Sequence, residues 1–277
     1  MNLKEPFVHI LELSRLVLRH AVRTRLIYLV FVFSVLTQVG GLKIVHQVLA
    51  HSAGLLPVLK THHTVFIMLF LQLFGGVLLC VVYGVWVVPY LHSGTRAQLT
   101  FVLPVKKSVF AFSSIFGLLA LLLIQYISLL LVFGWVLGFS ELSAGTFPWE
   151  YFLKGCFMEA LCFLCLMLLF SILSLNLGPI TALFFGVMLL SSLQFASVLK
   201  TLGVELQKRG VQTAYFAWVR FYDLLVPVGE LVFDLKDLTS KNYSYWTTMA
   251  HWAVWLVIFV CGYSLSISRI RRFKASV

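Results

Sequence analysis

The polar side chains that could do chemistry in this chain are few, and most sit among apolar neighbours. Glu159 stands out, in the run GCFMEALCFLCLMLLF. An ionisable group inside a membrane helix is costly and marks a functional position by default. Lys154 and Glu150 lie close in sequence, so the simpler reading puts Glu159 at the membrane interface. Four histidines, His46, His51, His62 and His63, fall outside the first pair of apolar runs. Such a group could ligate a metal or haem iron. Their spacing matches no helix-borne ligand pair, which favours ordinary interfacial histidines. Cys162 and Cys165 form a CxxC within the same run as Glu159. A redox or metal site there would need polar groups around it. With five cysteines in all, an odd number, we read buried thiols rather than a disulfide framework. Gln38, Gln72, Gln125 and Gln194 each put an amide into a different apolar run, either to bond across helices or to line a pathway. No GxSxG elbow and no GxxxxGK[ST] phosphate loop occurs. Any ATP-driven work must therefore be done by a separate chain.

The elements that hold these groups are membrane helices. Hydrophobic residues make up 61% of the 277 positions and charged ones 11%, against about 45–50% and about 25% in soluble domains. The excess runs the whole length, so the fold class is all-α: one polytopic transmembrane domain over 1–277. A perpendicular crossing takes about 20 apolar residues. Six runs qualify, near 26–42, 65–91, 108–139, 155–175, 179–199 and 246–268. The third exceeds one perpendicular crossing and implies tilt or an extension. Gly134 and Gly138 give it a GxxxG, and Gly75–Gly76 interrupt the second run; both are candidates for close helix packing.

Net charge is +11, and the basic residues flank the apolar runs. That pattern sets membrane orientation rather than gripping nucleic acid. Lys4, Arg15, Arg19, Arg23, Arg25, Arg96, Lys106, Lys107, Arg269, Arg271, Arg272 and Lys274 fall on one side. The short loops on the other carry only Lys43, Lys60 and Lys154, while 200–245 holds six more basic residues nearly balanced by five acidic ones. Both termini are therefore expected in the cytoplasm. The first 25 residues lack the apolar core of a cleavable signal, so the first run is expected to remain as an anchor. Within 1–25, Phe7, Ile10, Leu11, Val17, Leu18 and Ala21 share one helical face beside a stripe of Glu12, Arg15, Arg19 and Arg23. This is the pattern of a helix lying in the interface plane. The segment 200–245 is assigned outside. Its stretch 211–233 carries Arg220, Asp223 and Glu230, which argues for an amphipathic or re-entrant segment rather than a seventh crossing.

The interval 92–107, HSGTRAQLTFVLPVKK, falls on the cytoplasmic side. Gly94 and Thr95 can break and cap a helix. Arg96 to Leu103 make about two turns, and Pro104 ends them. Leu99, Val102 and Leu103 share one face, and Lys106 and Lys107 precede the third run. On composition alone this is a loop with basic anchors. The stretch GTRAQLTFVLPVKKSVFAFSSIFG resembles, however, the segment between the second and third spans of ABC-type exporter permeases of the second class. The likeness is to the group associated with gliding motility and copper-enzyme maturation. Gly94, Thr95, Leu99, Leu103, Pro104, Val105, Lys106 and Gly117 match the pattern. The acidic residue usual before Gly-Thr is absent, the chain reading PYLHSGT.

The resemblance covers the whole chain in layout and about 24 residues in motif. It implies a bacterial inner-membrane permease subunit whose interval 92–107 is a coupling helix seated in a partner ATPase. Gly94, Thr95, Arg96, Leu99, Pro104, Lys106 and Lys107 would form that interface. ATP and magnesium would bind the ATPase, leaving this chain without a cofactor or covalent chemistry of its own. Two permease chains, identical or different, would complete a pathway for a substrate that the sequence does not specify. The alternatives are a membrane-embedded metal- or haem-binding enzyme or carrier, using the outer histidines with Glu159, and a non-transporting assembly subunit.

Overall fold

The computed structural model describes residues 4–23, 25–51, 57–90, 107–138, 147–188, 191 and 244–275. All regular structure among them is helical. Helix α1 is Lys4–Arg23, α2 is Arg25–His51, and α3 starts at Pro57–Val82. Helix α3 continues through a π-helical turn, Tyr83–Val87, to Tyr90. Then come α4, Lys107–Leu137, α5, Trp149–Leu177, the short α6, Pro179–Met188, and α7, Tyr245–Ala275. Five of them (α2, α3, α4, α5 and α7) are long and apolar enough to cross a membrane. The run 179–199 appears as the ten residues of α6, and its remainder lies largely outside the described residues. So do the segment 200–245, apart from its last two residues, and the interval 92–106.

Side-chain contacts show which helix ends share a level. At one end Lys43 Nζ stands 5.5 Å from the centre of the Trp135 ring, joining the C-terminal parts of α2 and α4. Phe147, just ahead of α5, packs edge-on against Phe133 of α4. Lys154 of α5 lies over Tyr245 of α7. Trp135, Trp149 and Trp246 are exposed at this end, as expected of aromatic rings at a lipid–water boundary. At the opposite end the Tyr83 hydroxyl donates to the Ser114 carbonyl, and Ser174 Oγ to the Val85 carbonyl. Asn176 Nδ2 donates to Ser266 Oγ there too. The helices α3 and α5 thus run one way, and α4 runs the other.

Helix α5 is the most enclosed span, while α2 and α7 are the least. An outward stripe of α2, with Tyr28, Leu29, Val32, Phe33 and Leu36, stays exposed. Between apolar helices in lipid there is little hydrophobic drive, so association rests on close packing and interhelical hydrogen bonds. Gly84, inside the π-turn, lets α3 come directly onto α5: a Cβ there would stand 2.7 Å from the Met167 carbonyl oxygen.

Helix α1 packs chiefly on α4. Ser14, Val17 and Ala21 are buried at helical spacing, and Ser14 Oγ reaches the Ser113 carbonyl at 3.2 Å. Arg15, Arg19 and Arg23 are exposed, in keeping with the charged stripe. Among the face members whose side chains are described, Leu11 is exposed, and Ser14 takes the inner position. A serine fits where a helix backbone must approach another closely.

Two glycine readings need correction. Gly75 and Gly76 do not interrupt α3, which runs through them. Gly138 is no packing residue of α4; it ends the helix, with φ of 102° and its N–H on the Gly134 carbonyl. A positive φ suits glycine, which lacks the Cβ that would clash. We expect Gly84→Ala to destabilise the protein by about 1–3 kcal/mol through overpacking. Gly40→Ala, where a Cβ meets nothing within 4 Å, should be neutral or gain up to about 1 kcal/mol of helix propensity. Thermal unfolding in detergent checks the pair, and equal midpoints would refute the close contact at Gly84.

Candidate functional site

A layer of polar side chains crosses the middle of the bundle from α2 to α5. Each belongs to an otherwise apolar helix, and each is turned inward by the phase of its own helix. Gln38 Nε2 on α2 donates to Gln72 Oε1 on α3 at 2.7 Å. Gln72 Nε2 donates to Gln125 Oε1 on α4 at 3.2 Å. Gln38 Nε2 also reaches Ser34 Oγ, one turn back on α2, at 3.2 Å. All four side chains are buried. The chain of amides has a direction, so its ends are open: among the described residues Gln38 Oε1 is an acceptor without a partner and Gln125 Nε2 a donor without one. Gly75 makes the space, because a Cβ there would collide with Ser34 Oγ and stand 3.3 Å from Gln125 Nε2.

The next residue of α4 continues the layer to α5. Tyr126 Oη lies 3.0 Å from Glu159 Oε2 and 3.3 Å from the Cys156 carbonyl oxygen. Glu159 is wholly buried, and its Oε1 has no partner among the described residues. Its place in the helix also differs from the sequence reading. Counting from Gly155 put it one turn into its span, whereas α5 starts at Trp149 and carries it nearly three turns in. Glu150 and Lys154 pair with each other on the exposed side of α5. Gln72 precedes Tyr83 by as many residues as Gln125 follows Ser114, so the two bonded pairs are parallel rungs of one antiparallel contact. At about 1.5 Å per residue, the polar layer stands roughly 16 Å from the Tyr83–Ser114 rung.

The thiols of the α5 region are free and serve packing. Cys80 Sγ donates to the Phe163 carbonyl and Cys165 Sγ to that of Trp252. Cys162 is buried beside them. Among the described residues no group of three or more His, Cys, Asp or Glu side chains converges as a metal site would require. His46 and His51 close α2, and His62 and His63 open α3; their side chains lie outside the described residues. Their backbone positions put them toward the Lys43 end of the bundle, on a different level from Glu159.

Of the interval singled out in the sequence, Gly94, Thr95, Arg96, Leu99, Pro104 and Lys106 lie outside the described residues, as do Gln194 and 211–233. Lys107 is the first residue of α4. Sequence reasoning noticed the glutamines and Glu159 but missed Ser34 and Tyr126. Two signals were present: Ser34 precedes Gln38 by one helical turn, and Tyr126 is the one phenol in LLALLLIQYISLLL.

Comparison of the chain with protein-family models and with curated proteins finds no match. The amide chain makes a quantitative prediction. Gln72→Leu leaves Gln125 Oε1 without its donor and should destabilise the bundle by about 1–3 kcal/mol. In a cycle with Gln125→Leu, the double variant should lose less than the sum, with a coupling of about 0.5–1.7 kcal/mol. Strict additivity in denaturant unfolding would show that the bond carries no stability.

Proposed function

We propose that this chain is the membrane-spanning permease subunit of an ATP-binding-cassette exporter, driven by a separate ATPase. The observation that carries the reading is the stretch GTRAQLTFVLPVKK and its place in the chain, between α3 and α4. Three features at that end of the bundle support it. Helix α1 is braced on α4 through Ser14 and Ser113, close to where the interval rejoins the helices. Gly117 brings α4 against both Val17 and the Tyr83 hydroxyl, so α1, α3 and α4 meet at one small residue. The π-turn of α3 ends just before the interval begins.

In this reading the five long helices are joined by a sixth span, of which α6 is the first part. Helix α1 lies along the cytoplasmic interface with Arg15, Arg19 and Arg23 toward the headgroups. Both termini are cytoplasmic, and the membrane is the bacterial inner membrane. The interval 92–107 seats in the ATPase and passes its movement to α3 and α4, which turn as nearly rigid bodies with α1 attached. Two such chains pair to enclose the transport path. The polar layer then sits where helices from one permease half meet, and a change in their spacing must break or re-form its hydrogen bonds.

The test is co-purification of a phosphate-loop ATPase with the tagged chain from native membranes. Replacing Arg96, Pro104 and Lys106 together should abolish recovery of the ATPase while the permease still inserts. Loss of one contact of about 2 kcal/mol already weakens binding roughly thirtyfold. Undiminished recovery and transport would remove the coupling role.

A further inference from the structure

We infer that Glu159 is a proton-binding site enclosed within the bundle, its proton shared with Tyr126 and exchanged only when α4 and α5 part. The inference goes beyond the permease reading and does not depend on it. It starts from a count of hydrogens. Tyr126 Oη is within bonding distance of two oxygens, Glu159 Oε2 at 3.0 Å and the Cys156 carbonyl at 3.3 Å. A phenol has one hydrogen to give. With Glu159 ionised, both neighbours are acceptors, and one of the two contacts has no hydrogen in it. With a proton on Oε2, the carboxyl donates to Tyr126 Oη and Tyr126 donates to the Cys156 carbonyl. Every contact then holds one hydrogen, and the relay ends on a backbone oxygen.

The surroundings agree. Glu159 Oε1 is buried without a partner among the described residues. The carbonyl oxygen of a neutral acid tolerates that far better than half of a carboxylate does, because an unpaired buried charge is costly. The titratable groups facing Glu159 are Tyr126 from α4 and Cys156 and Cys162 from α5 itself, with Cys80 of α3 next to Tyr126. None is cationic, and α7 contributes no group that acts on it among the described residues. A metal ion would need a shell of ligands, whereas a proton needs only the carboxyl and the phenol. Because the carboxyl is wholly enclosed, exchange with solvent requires the α4–α5 contact to open, which ties proton occupancy to the conformation of the bundle.

Infrared spectroscopy of the full-length protein in lipid nanodiscs, at neutral pH and low salt, tests this. The expected result is a carboxylic-acid carbonyl band that shifts only slowly in deuterated water and disappears in Glu159→Gln. In Tyr126→Phe the band should persist at a changed frequency, because the acid hydroxyl has lost its acceptor. Should Glu159→Gln fail to fold, the shift between wild type and Tyr126→Phe decides. An unchanged carbonyl region in Glu159→Gln would overturn the site, as would a band erased by sodium or potassium chloride, which would make it a metal-cation site. An unshifted band in Tyr126→Phe would overturn the shared proton, and rapid deuterium exchange the enclosure.

Discussion

Inside a bilayer a polar side chain has no water to fall back on, so each amide in the bundle must find a partner on another helix or remain unsatisfied. The chain from Gln38 through Gln72 to Gln125 answers that requirement for α2, α3 and α4 at once. Apolar ridges pack almost equally well after a small slide or rotation, but a buried amide does not. The three glutamines therefore select one rotational setting for each helix. Gly75 belongs to the same constraint, since its missing side chain is the room that Ser34 and Gln125 occupy. Helix α5 is tied into the layer by a different chemistry, a phenol and a carboxyl, through the residue next to Gln125 on α4.

The two ends of the bundle are built differently. Toward Lys43 and Trp135 the contacts are aromatic rings and lysine ammonium groups, which hold position loosely and suit a boundary between lipid and water. Toward Tyr83 and Ser114 they are directional hydroxyl-to-carbonyl bonds across close helices. The firmer end is also where α1 docks. A force delivered there reaches three helices together, whereas at the other end it would be spread over flexible side chains.

Much of this was legible beforehand, for physical reasons. Five of the six apolar runs are helices of spanning length, because hydropathy over about 20 residues is a bulk property that needs no knowledge of neighbours. The exposed arginines of α1 followed from periodicity alone. What could not be read was phase and register between helices. The glutamines were visible as polar residues, yet which of them meet depends on rotations that no single helix encodes. The start of α5 was set too late because its aromatic opening, WEYFLKG, reads as a flank rather than as its first two turns. Gly138 looked like half of a packing motif because its spacing from Gly134 is the same whether the helix continues or stops. The motif of the family likeness is 94–117, of which the described helices include only the end, from Lys107 to Gly117 at the start of α4.

The five-residue turn at Tyr83–Val87 widens α3 at the point where Ser174 caps the Val85 carbonyl from outside. A π-turn holds one residue more than an α-turn needs, so it is a store of slack. Drawing that residue out would rotate and lengthen the last turn of α3 by a fixed increment while leaving the glutamine rungs above it in place. The helix would then behave less like a rod than like a screw with a single thread of play, and Ser174 would be the catch that holds it wound.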